Sequence, residues 1–513
     1  MVDTIEARDS EHYPWKTTPF RHQLEEWERS REEPTRAIYW EQGTGKSKLT
    51  IDTAAWLYMR GLASGLLVLA PEGVHRNWVT DEVPAHMPDV VPTTCLAWYS
   101  SRAKTRKQQA AAEALLECGG LAVLTMSYDG FCTTRGKALA KAFLTRRRCL
   151  YVLDEARRIK TPRTIRTRTV LASARYAPYR RLLDGTPVAN GPFDVYSPLK
   201  FLEEKFWHRH GLGTFGAMKA YFGVWEDGWA GGRRFPRLVS YTRLDQLHKI
   251  VDRVATRITK DQAGLDLPPK LYSRVSFELT PAQRRLYDEL REGFVAELDS
   301  GAEVMAPLAI VRLLRLQQIT CGYVPATTAE IPPTDAGVAH LQPELMTFRA
   351  KLEDIPGGNP RLDTLLGIVE DLPHQAIIWA RFRRDIDLIC EALTAAKRTW
   401  VRYDGTVKDK ERGDAVRSFQ QGDAEFFVGN PAAAGEGLTL HAARTVIYYN
   451  NSFKLTERLQ SEDRAHRIGQ VHPVHYVDLV APDTVDERIV AALQAKMDVA
   501  AQVTGDSLRE WLR

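Results

Sequence analysis

A short glycine loop near the N-terminus has the residue types and spacing that bind phosphate groups. The stretch WEQGTGKS begins at Trp40 and ends with the loop residues Gly43, Thr44, Gly45, Lys46 and Ser47. Such a loop presents backbone N–H groups to phosphates, its lysine reaches the outer phosphates, and its hydroxyl binds magnesium. Trp40 occupies the first glycine slot of the general pattern, but the two glycines that remain are enough for the tight turn. The loop predicts a nucleotide site with Ser47 as a metal ligand.

Two neighbouring carboxylates, Asp154 and Glu155, follow the apolar run CLYVL. Ligands of open α/β sheets collect at the carboxyl ends of strands, where adjacent carboxylates are costly without a cation. Asp154 is therefore predicted to bind magnesium, and Glu155 to polarise an attacking water. The alternative for such a pair taken alone is a solvated turn, and the glycine loop upstream favours the catalytic interpretation.

Two arginines lie far along the chain, in the stretch QSEDRAHRIGQ at 460–470. Arg464 and Arg467 are predicted to lie one helical turn apart, where arginines from a second part of the protein could stabilise the charge that develops in phosphoryl transfer. The pair predicts a two-part enzyme in which one part holds a nucleotide and the other brings the arginines to it. His466 is predicted to be structural, because no partner has metal-ligand spacing.

Apolar runs of strand length alternate with helical stretches in two series. The first series is AIYW at 37, LLVLAP at 66, LAVLTMS at 121, CLYVLDEA at 149 and RRLLDGTP at 180, and the second is AIIWAR at 376, TWVRYDG at 399, EFFVGN at 425, TVIYYN at 445 and VHYVDLV at 474. Such runs are typical of parallel sheets covered on both faces. We predict two α/β lobes, with a nucleotide-binding lobe at 1–200, a helical insertion and interlobe segment at 201–345, and a second lobe at 346–513. Within the middle segment, FGVWEDGWAGGRRFP is predicted as loops and Pro325 to Gly358 as a flexible link.

The bulk composition excludes several classes of protein. A net charge of +5 permits a polyanionic partner without identifying one. The six cysteines contain no CxxC pair, so neither a zinc site nor a disulfide framework is predicted. No signal core and no apolar run of about 18 residues is present, and we expect a cytoplasmic protein without membrane insertion.

Taken in order, these motifs resemble the SWI/SNF-type ATPases of helicase superfamily two. The resemblance rests on Gln23, GTGKS, LAPEGVHRNW, TMSYDGF, DEAR, GTPVAN, LDLPPK, AAAGEGLTL and QSEDRAHRIGQ, and it covers about residues 15 to 495. It implies two RecA-like lobes in tandem, ATP and Mg²⁺ as cofactors, and movement along double-stranded DNA. It also implies a DNA-dependent ATPase of compact bacterial or viral type, acting in the cytoplasm or, alternatively, the nucleus. We expect a monomer that can use protein partners for targeting.

The resemblance assigns further roles residue by residue. It implies that Lys46 and Ser47 bind ATP and magnesium, that Asp154 and Glu155 complete hydrolysis, and that Arg464 and Arg467 complete the site from the second lobe. Gln23, upstream of the loop, would contact the adenine. Gly435, Glu436 and Gly437 match the motif that links the DNA track to the nucleotide, with Gly437 among the nucleotide contacts.

The chain departs from the family in two places. Arg157 stands where the family has the histidine of DEAH, and NNSFKL at 450–455 replaces an aromatic segment. Arginine is always charged whereas histidine need not be, so the first departure bears on ATP coupling. The second alters a segment near the DNA track.

Alternatives remain open for the activity and for the DNA contacts. A strand-separating or annealing helicase would use the same ATP-hydrolysing motifs, and a non-catalytic ATP-dependent clamp would use the same fold. Arginine-rich clusters are candidate phosphate contacts, with Lys160 and Arg381 favoured because they adjoin motifs, although such clusters are commonly solvated surface. Trp78, Tyr128 and Trp379 are predicted to be core residues.

Overall fold

The computed structural model describes residues 13–72, 74–230, 233–265, 267–299, 306–325, 352–407, 409–433 and 438–504. These residues divide into two compact units. The first runs to Val224 and adds Ser240–Leu267 and the chain from Lys496, while the second holds Trp225–Val239 and Pro268–Ala495.

Strands and helices alternate through most of the described chain. The strands are β1 (Thr35–Ile38), β2 (Gly65–Ala70), β3 (Thr93–Trp98), β4 (Leu121–Ser127), β5 (Cys149–Asp154), β6 (Tyr179–Leu183), β7 (Gly223–Ala230), β8 (Arg233–Tyr241), β9 (Ala255–Thr256), β10 (Lys270–Ser276), β11 (Tyr323–Pro325), β12 (Leu352–Asp354), β13 (Ala376–Trp379), β14 (Trp400–Tyr403), β15 (Phe426–Gly429), β16 (Thr445–Tyr448) and β17 (Val474–Val480). The α-helices are α1 (Arg21–Ser30), α2 (Lys46–Met59), α3 (Val74–Asn77), α4 (Val83–His86), α5 (Arg106–Glu117), α6 (Tyr128–Cys132), α7 (Thr134–Arg146), α8 (Ile165–Ala174), α9 (Tyr196–Leu202), α10 (Phe215–Phe222), α11 (Leu244–Asp252), α12 (Pro281–Asp299), α13 (Ala306–Thr320), α14 (Pro360–Glu370), α15 (Arg383–Ala395), α16 (Asp409–Gln421), α17 (Leu455–Ala465) and α18 (Val485–Thr504). Short 3-10 or π turns lie at Trp78–Glu82, Ser100–Arg102, Ala156–Ile159, Pro192–Val195 and Trp207–His210.

The first unit is built on a seven-stranded parallel sheet with the order β3-β4-β2-β5-β6-β1-β9. Strands β2 and β4 are buried along their whole length, as expected for strands covered on both faces. Alternation of side chains sends Leu67 and Leu69 into one apolar cluster and Leu66 and Val68 into the other. Because β5, β6 and β1 are neighbours, the loops that follow them share one edge of the sheet.

The second unit is built on a six-stranded parallel sheet with the order β10-β17-β16-β13-β15-β14. All five apolar runs of the second predicted series form strands in it. The two sheets confirm the predicted fold class of tandem parallel-sheet lobes. The edge strand β10 comes from the range predicted as interlobe material.

Several local predictions differ from the structure. The stretch predicted as aromatic and glycine-rich loops belongs to the paired strands β7 and β8, which contain the aromatic and β-branched residues Val224, Trp225, Phe235, Val239 and Tyr241. Five further strands were not predicted. Strands β3 and β10 are only partly buried, β9 has two residues, and β11 and β12 have three residues each, with β12 lying in the range predicted as a flexible link. The predicted link from Pro325 to Gly358 lies mostly outside the described residues. Within the described chain, no helix has the length and apolar character required to cross a membrane.

A buried arginine ties together the elements of the second unit. Arg361, at the start of α14, is 0% exposed. Its guanidinium donates to the carbonyl oxygen of Thr320 at 3.2 Å, to the Thr320 hydroxyl at 2.7 Å and to the carbonyl oxygen of Leu479 at 3.4 Å. It also forms an ion pair with Asp486. The end of α13, strand β17 and the start of α18 are thereby joined through one side chain.

Arg361→Ala is expected to lower the free energy of unfolding of the second unit by about 3–5 kcal/mol, because it leaves the Asp486 carboxylate buried without its cation. Urea denaturation followed by circular dichroism measures the loss. The matched control is Arg384→Ala, because Arg384 pairs with Asp354 at 3.0 Å through side chains that are 32% and 64% exposed. Its cost should stay below about 1 kcal/mol. Equal losses in the two variants would contradict the role given to Arg361.

Candidate nucleotide site and arginine helix

The glycine loop connects β1 to α2. Gly43 and Gly45 have φ values of +83° and +84°, in the left-handed region that glycine adopts without strain. They turn the chain so that α2 begins at Lys46, directly after the loop. The first N–H groups of α2 have no partners within the helix, and the positive end of the helix dipole lies there. Loop and helix N-terminus together form a site suited to an anion.

Helix α1 holds the glycine loop in place. The ring Nε2 of His22 donates to the Thr44 carbonyl oxygen at 2.9 Å, and the Gln23 side-chain amide donates to the same oxygen at 3.1 Å. The Gln23 side-chain oxygen accepts from the Phe20 N–H at 2.9 Å, so both polar ends of this 2% exposed side chain are bound. A Cβ atom added at Gly45 would lie 1.9 Å from the Gln23 amide nitrogen. Gln23 therefore braces the loop backbone in this structure.

Lys46 is bound to the loop from which it projects. Its ammonium donates to the carbonyl oxygens of Trp40 at 2.8 Å and Glu41 at 3.0 Å. Burial lowers the pKa of Lys46, and the negative charges of Glu155 and Asp154 oppose that shift. A phosphate group would take the ammonium from two neutral carbonyl oxygens and give it a charged partner, an exchange that favours anion binding.

The acidic pair lies at the carboxyl end of β5. Asp154 accepts a hydrogen bond from the indole N–H of Trp78 at 3.0 Å, and its carbonyl oxygen accepts from the Tyr128 hydroxyl at 2.8 Å. Burial, reinforced by the adjacent Glu155 charge, raises the pKa of Asp154. Trp78 and Tyr128 are 1% and 2% exposed, as predicted for core residues, and Trp379 is likewise buried. Trp78 thus holds the carboxylate of Asp154, and Tyr128 holds its backbone.

Glu155 has a strained backbone and a fixed side chain. Its φ of +54° lies in the left-handed region, which costs a non-glycine residue about 1–2 kcal/mol. One carboxylate oxygen accepts from the Gln42 amide of the glycine loop at 3.2 Å, and the other forms an ion pair with Arg157. Strain of this kind is concentrated at functional sites.

Arg257 lies beside the candidate nucleotide site, although no sequence motif pointed to it. It follows the two-residue strand β9 and donates to the carbonyl oxygens of Tyr39 at 2.7 Å and Gly185 at 3.3 Å. Its positive charge contributes to lowering the pKa of Lys46. A single arginine after so short a strand gave no periodic or motif signal.

Helix α17 and the turn that follows it carry the predicted arginines in the second unit. Arg464, in its last turn, is 3% exposed and donates to the Leu438 carbonyl oxygen at 3.3 Å. Arg467 donates to the same oxygen at 3.1 Å and to the Thr439 hydroxyl at 3.1 Å. The two guanidinium groups therefore meet at the segment that directly follows Gly435, Glu436 and Gly437, which lie outside the described residues.

The predicted helical turn between the two arginines is wrong. Helix α17 ends at Ala465, and Arg467 lies in the turn that follows, which contains Gly469 with a φ of +100°. The Gln470 amide ends the helix by donating to the carbonyl oxygens of Ala465 at 3.3 Å and His441 at 2.9 Å. His466 has the predicted structural role, because its ring donates to the Pro268 carbonyl oxygen at 2.7 Å.

A buried ionic network fixes α17 to the sheet. Glu462 accepts from the Lys270 ammonium at 2.9 Å, the Tyr272 hydroxyl at 2.8 Å and Arg458 at 2.8 Å. Arg458 also donates to Asp478 at 2.5 Å. Strands β10 and β17 thereby both hold the helix that carries Arg464.

The segment that departs from the family, 450–455, begins with two structural asparagines. Asn450 accepts from the Arg381 N–H at 2.7 Å and donates to Asp385 at 2.6 Å. Burial raises the pKa of Asp385 to about 6. Asn451 donates to Asp478 at 2.7 Å. These amides bind neighbouring elements of the second unit, which accounts for their burial.

The candidate phosphate contacts differ in how far they are already paired. Lys160 lies 3.4 Å from Asp194, and Arg381 donates to Gln317 at 2.7 Å.

A cavity of about 500 Å³ lies between α7 and α8, and no acidic residue is among the described residues that line it. Its cationic lining residues are Lys137, Lys141, Arg168 and Arg175. Three of these, Lys137, Lys141 and Arg168, are exposed and pair with no carboxylate in the described part of the chain.

Comparisons with known proteins show which family the chain is similar to. The SNF2-related domain matches residues 21–322, and the helicase conserved C-terminal domain matches residues 360–469. The chromodomain-helicase-DNA-binding protein 1-like of Danio rerio is 26% identical over 460 residues, which cover 89% of this chain and 40% of that protein. The DNA annealing helicase and endonuclease ZRANB3 of Mus musculus is 25% identical over 472 residues, which cover 91% of this chain and 38% of that protein. The chain thus spans about two fifths of the length of these relatives.

A solved structure is also similar. The Sulfolobus solfataricus SWI2/SNF2 ATPase core in complex with dsDNA matches with a TM-score of 0.40 and 21% identity, over 96% of this chain and 95% of that chain.

Gln23→Ala is expected to weaken ATP and GTP binding by the same factor, about fivefold for one lost loop hydrogen bond. The reason is that the structure assigns the Gln23 amide to the Thr44 carbonyl oxygen. Titration with fluorescent ATP and GTP analogues measures both affinities. His22→Ala removes the second donor to that oxygen and should also weaken ATP and GTP binding by the same factor. A loss confined to ATP would contradict the bracing role and support an adenine contact.

Proposed function

The chain belongs to the SNF2-related family, and on that premise we propose that it is an ATP-dependent translocase on double-stranded DNA. The observation that supports this most directly is the convergence of three loops at one sheet edge. The glycine loop, the Asp154–Glu155 pair and the loop from Gly185 follow the adjacent strands β1, β5 and β6. Together they supply an anion site, a candidate metal ligand and a carboxylate positioned for hydrolysis.

Nucleotide binding is proposed for the glycine loop. The backbone from Gly43 to Gly45 and the N-terminus of α2 would bind the phosphates, and Lys46 would neutralise the outer ones. We propose that Gln23 acts on affinity through Thr44. The adenine contact implied by the family resemblance would require its amide to leave the Thr44 carbonyl oxygen.

Magnesium is proposed as the metal, held by Ser47 and Asp154. Both offer the oxygen ligands that Mg²⁺ prefers, and Mg²⁺ characteristically takes only one or two protein ligands beside phosphates and waters. The raised pKa of Asp154 supports this assignment, because a buried carboxylate beside a second carboxylate is stabilised by a cation. When bound, the ion would neutralise charge that develops on the phosphates.

Glu155 is proposed to orient and deprotonate the attacking water, and Arg464 and Arg467 to stabilise the charge that develops in phosphoryl transfer. In the structure both arginines donate to the Leu438 carbonyl oxygen, so this role requires at least one to exchange that carbonyl for a phosphate oxygen. Gly437 remains a predicted nucleotide contact in the same segment.

Double-stranded DNA is proposed as the partner. The cavity between α7 and α8, with its unpaired lysines, fits a phosphate backbone, and such contacts read no sequence. We propose a monomer that acts in the cytoplasm of a bacterial or virus-infected cell, with the nucleus as the alternative. Strand separation or annealing is the second candidate, supported by similarity to an annealing helicase.

Glu155→Gln is expected to reduce DNA-stimulated ATP turnover by at least about 100-fold, because it keeps the shape of the side chain but removes the base. The affinity for ATP should change by less than about threefold, since no phosphate contact is lost. A coupled phosphate-release assay and a fluorescent-ATP titration measure the two effects. Lys46→Ala is the control that should lose binding itself. Wild-type turnover in Glu155→Gln would rule out the assignment.

Lys137→Ala/Lys141→Ala is expected to weaken duplex binding and to reduce the slope of log affinity against log salt by about 2, since each phosphate contact contributes about 0.9. Fluorescence anisotropy between low and moderate salt measures the slope. The matched control is Lys249→Ala/Lys397→Ala, which removes two exposed lysines that do not line the cavity. If both double variants kept the wild-type slope, DNA would not lie in this cavity.

A further inference from the structure

Arg157 is a buried cation shared by two carboxylates. It is 8% exposed, and Asp184 and Glu155 are 1% and 8% exposed. Its backbone N–H donates to one Asp184 oxygen at 2.7 Å, and its guanidinium donates to the other at 2.6 Å. The same guanidinium nitrogen forms the ion pair with Glu155. One arginine thus neutralises the carboxylate that we assign to hydrolysis and a second carboxylate on the next strand.

The sheet and the local backbone produce this contact. Strands β5 and β6 pair in parallel with Asp154 opposite Leu183, so the next residue of each strand, Glu155 and Asp184, leaves the sheet at the same level. The left-handed backbone of Glu155 then starts the turn Ala156–Ile159, which directs Arg157 towards Asp184.

A histidine would fit this arrangement less well than the arginine. An imidazole has at most two N–H donors and is charged only when protonated, whereas the guanidinium provides five N–H donors and keeps its charge. Arg157 and Asp184 therefore form a matched pair, in which the arginine needed to balance Asp184 is also the group that holds Glu155.

The contact connects Glu155 to the loop that follows β6. Asp184 accepts from the Thr186 N–H at 2.8 Å at the start of that loop. At its end, the N–H groups of Ala189 and Asn190 donate to Asp194 at 3.1 and 2.8 Å. Asp194 in turn lies 3.4 Å from Lys160, which the sequence favoured as a DNA contact.

We propose that Arg157 is a positioning residue that couples the hydrolytic Glu155 to the Gly185–Asn190 loop through Asp184. Glu155 is held from one side by Gln42 of the glycine loop and from the other by Arg157. A shift of the Asp184 loop moves the guanidinium and with it the carboxylate. This inference rests on the proposed function for its catalytic consequence, while the pairing of Arg157 with Asp184 stands on geometry alone.

The test is a double-mutant cycle with Arg157→Gln, Asp184→Asn and the combined variant, extended by Arg157→Lys. Thermal melting, fluorescent-ATP affinity, and kcat and KM with duplex DNA are measured for each. Arg157→Gln should lower Tm by at least about 5 °C, because it leaves two carboxylates buried without their cation. The combined variant should regain the part of that loss that belongs to Asp184, because the asparagine carries no charge, while Glu155 stays without its cation.

The kinetic outcome separates positioning from stability. Arg157→Lys should melt near the wild-type temperature, and the combined variant should melt above Arg157→Gln. Both should lose kcat by about tenfold or more, a loss of about 1.4 kcal/mol in transition-state stabilisation, with KM and ATP affinity within about threefold. Lysine keeps the charge but offers a single point of contact. Arg21→Gln, which removes an exposed pair with Glu25, is the control that should change nothing.

Two results would overturn the proposal. Additive changes in Tm across the cycle would show that Arg157 and Asp184 are not a matched pair, whether or not the protein hydrolyses ATP. Wild-type kcat in the combined variant and in Arg157→Lys would reduce Arg157 to a structural residue. A wild-type protein without DNA-stimulated turnover would refute the proposed function instead, and would leave the melting cycle as the measure of the pairing.

Discussion

The adjacency of strands β5, β6 and β1 brings charge together at one edge of the first sheet. Asp154 ends β5, Glu155 and Asp184 directly follow β5 and β6, and Lys46 begins α2 after the loop that follows β1. Burial makes unpaired charge expensive at all four positions. Each is stabilised by a specific neighbour: Trp78 for Asp154, Gln42 for Glu155, Arg157 for Asp184, and loop carbonyl oxygens for Lys46. The carboxyl edge of this parallel sheet therefore carries both the charged side chains and the neighbours that pair with them. The positions of those neighbours determine the geometry of the candidate site.

In the second unit, too, each of several buried charges is paired with a specific neighbour, through a different set of residues. Lys270 and Arg458 neutralise Glu462 and Asp478, and Arg361 neutralises Asp486. These pairs join α17 to the strands beneath it, so that the positions of Arg464 and Arg467 depend on buried charges several residues away. In both units, candidate site side chains are also bound to backbone carbonyl oxygens of their own unit, and the proposed phosphate contacts would give them a stronger partner than these neutral oxygens.

The sequence was sufficient for features encoded locally. The glycine loop, the strand ends and the alternating apolar runs are local patterns, and they predicted both sheets and the positions of Gly43 to Ser47, Asp154 and Glu155. Partnerships between distant residues were not predictable in this way. Nothing near Gln23 indicated that its amide would be bound to Thr44, and nothing near Arg257 indicated the nucleotide site. The end of α17 before Arg467 depends on Gln470 reaching back to carbonyl oxygens around residue 441, a contact with no local pattern.

The central claim is that the chain hydrolyses ATP in response to duplex DNA. The most direct measurement is the ATP turnover of the wild-type chain with duplex DNA, single-stranded DNA and RNA, with Lys46→Ala as the inactive reference. The account predicts that duplex DNA gives the greatest stimulation, about tenfold or more over the DNA-free rate, and that Lys46→Ala abolishes it. Turnover stimulated only by RNA, or stimulation that survives in Lys46→Ala, would contradict the account.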